Sequence, residues 1–130
     1  MANPNLTNIS SITGNTTYYT PTGTTAVVLL ANAASSNTVY KVDNVVAANV
    51  TGTSATATVS IYTNGAVAQG SAPSGGTAYP IIYQVPVPAN AAVVAVDKST
   101  AFYLQEGTSV TITSGTASAI AYTISYEAIS

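Results

Sequence analysis

The residues near the C-terminus constrain the fold more than any other part of the chain. Ile120, Tyr122, Ile124 and Tyr126 alternate with Ala121, Thr123, Ser125 and Glu127, so one face is bulky and the other small or polar. A period of two puts alternate side chains on opposite faces of a strand, whereas a helix would scatter the same bulky set around its circumference. Val110 and Ile112 alternate with Thr111 and Thr113 in the same way, and Gly115 lies between the two segments. Together they read as an antiparallel hairpin. Thr56 to Thr63 is a further strand, with Val59 and Ile61 facing one way and Thr58, Ser60 and Tyr62 the other. It ends at Asn64-Gly65, a pair suited to the positive φ angles of a tight type I′ turn. Thr38 to Val46 places Tyr40, Val42 and Val46 on one side and Lys41 with Asp43 on the other. Ala26 to Leu30, Ile81 to Val87, Ala92 to Val96 and Ala101 to Leu104 bring the total to about eight strands. No stretch carries helical spacing.

Pro80, Pro86 and Pro88 lack the amide proton that a ladder requires, so Ile81 to Val87 belongs at a sheet edge or is broken by a bulge. Short strands with frequent turns predict an all-β fold, a two-layer antiparallel β-sandwich of jelly-roll or immunoglobulin-like type, over residues 26–130. Residues 1–25 hold too few apolar side chains to build a core. They read as an extended N-terminal arm with one short strand at Thr16 to Thr20.

Charge is nearly absent. Two Lys, no Arg and four Asp or Glu make 5% of 130 residues, against about 25% in an ordinary soluble domain. Two isolated lysines, Lys41 and Lys98, cannot release the counterions that nucleic-acid binding needs, so no nucleic-acid partner is expected. The longest apolar runs, such as Ala26 to Ala31, are far shorter than the roughly 20 residues of a membrane-spanning helix, and no membrane partner is expected. MANPNLTNIS has no basic segment followed by an apolar run, which predicts synthesis in the cytoplasm without a cleaved export signal. The net charge of −2 and 47% apolar content argue against disorder.

The chain has neither His nor Cys, so the commonest general base, the commonest zinc ligand and the thiolate nucleophile are missing. An enzyme would have to bring at least two of Asp43, Asp97, Glu106 and Glu127 into one pocket. Each acid has a plainer reading: Asp43 shares a strand face with Lys41, while Asp97-Lys98 and Glu106-Gly107 read as turns. No enzyme activity, cofactor or metal is expected, and no contiguous Asp-rich loop suggests calcium. The sequons at Asn5, Asn8, Asn15 and Asn49 are what chance supplies in a chain this rich in Asn, Ser and Thr. Nine Tyr stand beside one Phe and no Trp. Tyr suits interfaces, where a ring is buried while its hydroxyl stays wet, so Tyr18, Tyr19, Tyr62, Tyr79, Tyr83 and Tyr103 are the candidate partner contacts. Ring faces at Tyr62, Tyr79, Tyr83 or Tyr103 would alternatively serve a glycan-binding module.

A strand leading into the turn Pro88-Ala89-Asn90 is followed by a corner at Leu104, Glu106 and Gly107. A Val-Thr-Ile-Thr strand and a closing Tyr-Glu strand come next. This order, with the earlier segment KVDNVVAANVTGTSATATVSIYTNG, resembles the small β-sandwich structural proteins of tailed bacteriophage virions, over roughly Thr38 to Ile129. The resemblance implies a non-enzymatic virion component on the outer surface of the particle. The role it suggests is a decoration or cement protein that binds the major capsid protein. Tail, neck or fibre positions and a host-glycan adhesin are the alternatives. A homo-oligomer is expected, with a trimer first because capsid lattices offer threefold positions, and with the arm laid across a neighbour.

Overall fold

The computed structural model describes residues 4–130 of the chain. Among these residues nine strands form: β1 (Ile12–Tyr19), β2 (Val27–Asn32), β3 (Val39–Asn49), β4 (Ala55–Tyr62), β5 (Ala78–Val87), β6 (Ala92–Val96), β7 (Phe102–Leu104), β8 (Thr108–Ser114) and β9 (Ile120–Ile129), with one 3₁₀ turn at Lys98–Thr100. They build two antiparallel sheets. Sheet I runs β1-β9-β3-β6, with β7 also on β3, and sheet II runs β2-β8-β4-β5. The pairs β1 with β9, β2 with β8, β3 with β6 and β7, and β4 with β5 nest inside one another, as if one long hairpin had been rolled into two layers. That connectivity is a jelly roll. An immunoglobulin-type sandwich keeps its first two strands in one sheet, whereas β1 and β2 here fall in different sheets.

Alternation supplies the core. Ile120, Tyr122 and Ile124 of β9 are fully buried and meet Leu29, Val59 and Ile112 from the opposite layer. Each such side chain contributes about 1.5–3 kcal/mol on leaving water. β8 and β9 are not the hairpin their sequence suggests, because they lie in different sheets. Both bulky faces still point inward, but toward each other across the two layers, and the Tyr122 hydroxyl donates to the Thr113 carbonyl between them.

Asn64-Gly65 does not make a type I′ hairpin either. β4 ends at Tyr62 and the next strand starts at Ala78. Gly65 is needed for a different reason: a Cβ there would stand 2.2 Å from the Asn32 carbonyl oxygen and 2.7 Å from that of Thr108. The strand expected in the arm is longer than Thr16 to Thr20, and it belongs to the chain's own sandwich. β1 pairs with β9 from Ile12 opposite Ile129 to Tyr19 opposite Tyr122. A Thr-, Asn- and Gly-rich segment lacks apolar alternation because the β9 ladder, more than core burial, holds it at the sheet edge.

β5 lies at an edge and is also bulged, with two register shifts against β4 and Gln84 at φ 50°. In β3, the register against β9 shifts between Val42 and Asn44, leaving Asp43 as the extra residue. The bulge turns Val45 and Ala47 into the core and puts Val46 on the outer face, not beside Tyr40 and Val42 as alternation alone suggests.

Candidate interaction surface

The β3 bulge and a break in its neighbour coincide. β7 pairs with Tyr40–Val42 and β6 with Val45–Ala48, and the chain between β6 and β7 makes the 3₁₀ turn alongside Asp43 and Asn44. Asp97 caps that turn. Its carboxylate accepts from the Ser99 amide (2.8 Å) and hydroxyl (2.6 Å), while the Thr100 hydroxyl accepts from the Asp97 amide at 3.0 Å. The Ser99 bonds hold the Asp97 carboxyl below the ordinary 3.8.

An open depression of about 910 Å³ results on the outer face of sheet I, lined by Lys41, Asp43, Asp97, Lys98 and Glu127 together with Asn44, Val46 and Val94. Five of the chain's six charged side chains therefore border one hollow. The Asn44 Oδ1 is the one buried side-chain acceptor among the described residues that receives no hydrogen bond. A smaller hollow lined by Gly14, Thr16 and Ser125 shares Asp43 and Glu127 and carries the surface on to β1. Sequence distance hid this convergence. Lys41 and Asp43 were readable as neighbours, but nothing local brings Asp97 and Glu127 to them.

The criterion for an enzyme is thus met in its simplest form, since Asp43, Asp97 and Glu127 line one depression. The chemistry does not follow from it. Among the described residues, no three metal-ligating side chains stand close enough to hold an ion. The Asp97 shift is downward, which favours the carboxylate and opposes the raised pKa of a general acid. Glu106 lies elsewhere, 1% exposed, and its Oε2 accepts the Asn37 amide at 2.6 Å to pin the β2–β3 connection.

The candidate tyrosines do not form one surface. Tyr18 projects from β1, Tyr103 from β7 at the other side of sheet I, and Tyr79 and Tyr83 from β5 of sheet II; all four are exposed. Tyr19 is half-buried against the core. Tyr62 is buried, contrary to the exposed ring expected of it. The loop after β4 folds back over it, and its hydroxyl accepts the Gly76 amide at 3.0 Å. Of the sequons, Asn49 is 3% exposed and its Nδ2 donates to the Thr53 and Val87 carbonyls, so it is closed to a glycan.

The loop after β4 also covers a sheet edge. The Val28 amide donates to the Ser71 carbonyl (2.9 Å), and the Gly70 amide donates to the Val28 carbonyl (2.8 Å). The Gln69 Nε2 donates to the Leu29 carbonyl and to the Thr17 hydroxyl, tying β2 to β1. With β2 covered, the edges left open are β1, the β6–β7 side and β5.

No helix among the described residues is long and apolar enough to cross a membrane. No family model, curated protein or solved structure matches the chain.

Proposed function

We propose that the protein is a non-enzymatic structural component of a bacteriophage virion, a decoration or cement protein seated on the outer capsid surface. The observation that carries this reading is the distribution of charge: five of six charged groups border one depression, and the rest of a 6355 Å² surface is almost without charge. Such a surface is prone to association, and binding to a shell and to other copies of the chain hides it. The charged depression then supplies orientation, since mixed charges discriminate among partners more than they add affinity. A threefold lattice position would hold three copies. Jelly rolls serve capsids and lectins alike, so the fold supports the reading without deciding it.

Electron microscopy of particles assembled with and without the chain tests the proposal. The expected result is density on the capsid exterior and earlier heat disruption of particles lacking the protein. Density confined to neck, tail or fibre would move the role there. Saturable binding on a glycan array together with no particle density would replace it with the adhesin reading, for which the exposed rings of Tyr79 and Tyr83 on one strand speak.

A further inference from the structure

β1 presents an edge that is complementary to itself. Ser11 and Ser130 exchange two backbone hydrogen bonds, at 2.9 and 3.0 Å. Antiparallel pairs alternate between bonded and non-bonded, and the β1–β9 register is unbroken, so Thr13, Asn15, Thr17 and Tyr19 also bond to β9. The N–H and C=O groups of Ile12, Gly14, Thr16 and Tyr18 consequently point away from the sheet. Their side chains share its outer face, where the Thr16 and Ser125 hydroxyls meet at 3.0 Å.

Ile12 and Tyr18 are 56% and 73% exposed, and they stand at equal distances on either side of Asn15. Gly14 serves no need of its own fold, since a Cβ there would meet nothing within 4 Å. A glycine inside a strand commonly marks the close approach of another backbone.

From this geometry we infer that β1 pairs antiparallel with β1 of a second copy, about a two-fold axis through Asn15. In that register Ile12 lies opposite Tyr18 of the partner subunit and Gly14 opposite Thr16 of the partner subunit. All four outward-pointing residues form bonded pairs, and the two exposed apolar side chains cover each other at both ends. The two five-stranded sheets become one. A single residue of slip in either direction would put the outward N–H and C=O groups opposite residues whose own groups point back to β9. The inference deepens the proposal that copies hide one another's surface and rests on it for its purpose, but it makes the contact two-fold where a lattice position suggests three.

The chain has no cysteine, so single cysteines report the register directly. Asn15→Cys would face its own copy across a non-bonded pair about 4.5 Å apart at Cα, within disulfide reach. Thr13→Cys and Thr17→Cys would stand on the order of 14 Å from their own copies. Under mild oxidation, Asn15→Cys is expected to link at least tenfold faster than either neighbour. Equal rates at the three positions, or no linkage at residue 15, overturn the pairing. Thr16→Pro removes an outward amide and leaves the β9 ladder whole, so light scattering should fall from twice 13.0 kDa to 13.0 kDa with the circular dichroism of a sandwich retained. Should the proline disturb the fold, Ile12→Lys with Tyr18→Lys charges the same edge and must give the same dissociation. A wild-type mass of one or three copies overturns the two-fold contact. Linked pairs that fail to bind particles would instead sink the virion role and leave the pairing intact.

Discussion

The β1 and β5 edges are opposite solutions to one problem. An exposed strand offers unpaired backbone groups to any other chain, and proteins commonly block that offer with proline, lysine or a bulge. β5 does so twice over. It carries Pro80 and Pro86, and its register against β4 shifts in two places. Thr63 and Thr77 are bonded, so by alternation Pro80 turns its missing amide toward solvent, where a partner strand would need a donor. β1 has no proline, no lysine and no register shift. β2, the third long edge, is closed by the loop after β4. Both edges of sheet II are thus guarded and the β6–β7 side of sheet I is interrupted by the 3₁₀ turn, which leaves β1 as the smooth edge among the described residues and the one on which the proposed pairing rests.

Breaking the guard on β2 should have the largest effect. Gly65→Ala forces a methyl group into the Asn32 and Thr108 carbonyls, which are backbone and cannot swing aside. A loss of about 3 kcal/mol is expected, read as a lower denaturant midpoint, together with faster amide exchange at Val28. Removing the guard on β5 tests the comparison from the other side. Pro80→Thr with Pro86→Thr should create a second adhesive edge, so that pairs grow into open chains seen as rising mass with concentration. An unchanged mass would mean that the bulge at Gln84 suffices by itself.

Gln69→Ala should cost about 1 kcal/mol by deleting the bonds to Leu29 and Thr17, and should leave self-association unchanged because β1 keeps its register. The smallest effect belongs to the 3₁₀ turn beside the charged depression. Asp97 titrates below 3.8 in the fold, so its capping contribution is complete above the ordinary carboxylate value and disappears as pH falls through the lowered one. Amide exchange at Ser99 should accelerate over that acid range in the wild type and be independent of it in Asp97→Asn.

Much of the strand set was legible in the residues themselves. Ala92 to Val96 matches β6 at both ends, and Ala101 to Leu104 and Thr56 to Thr63 match β7 and β4 to within one residue at each end. The turns at Pro88-Ala89-Asn90 and Asp97-Lys98 also form, with the Ala91 amide on the Pro88 carbonyl and Asp97 as the cap. Asp43 does share a hollow with Lys41, but Val46 falls on the face opposite to the one alternation predicts: a bulge adds one residue to one strand only, and nothing in KVDNVV announces which partner will skip it.

What the amino-acid order determined alone was local: alternating faces, turn residues, proline-bearing strands and a shortage of charge. Each of these depends on neighbours within a few positions, and the two-residue period of a strand records them directly. Which strands lie side by side was decided in three dimensions. Ser11 meets Ser130, and Val110 and Tyr122 enter one core from separate layers despite their closeness in sequence. The gathering of Lys41, Asp43, Asp97, Lys98 and Glu127 is of the same kind. A repeating pattern says which way a side chain faces, and many pairings satisfy it equally; only packing two sheets around one dry interior selects among them.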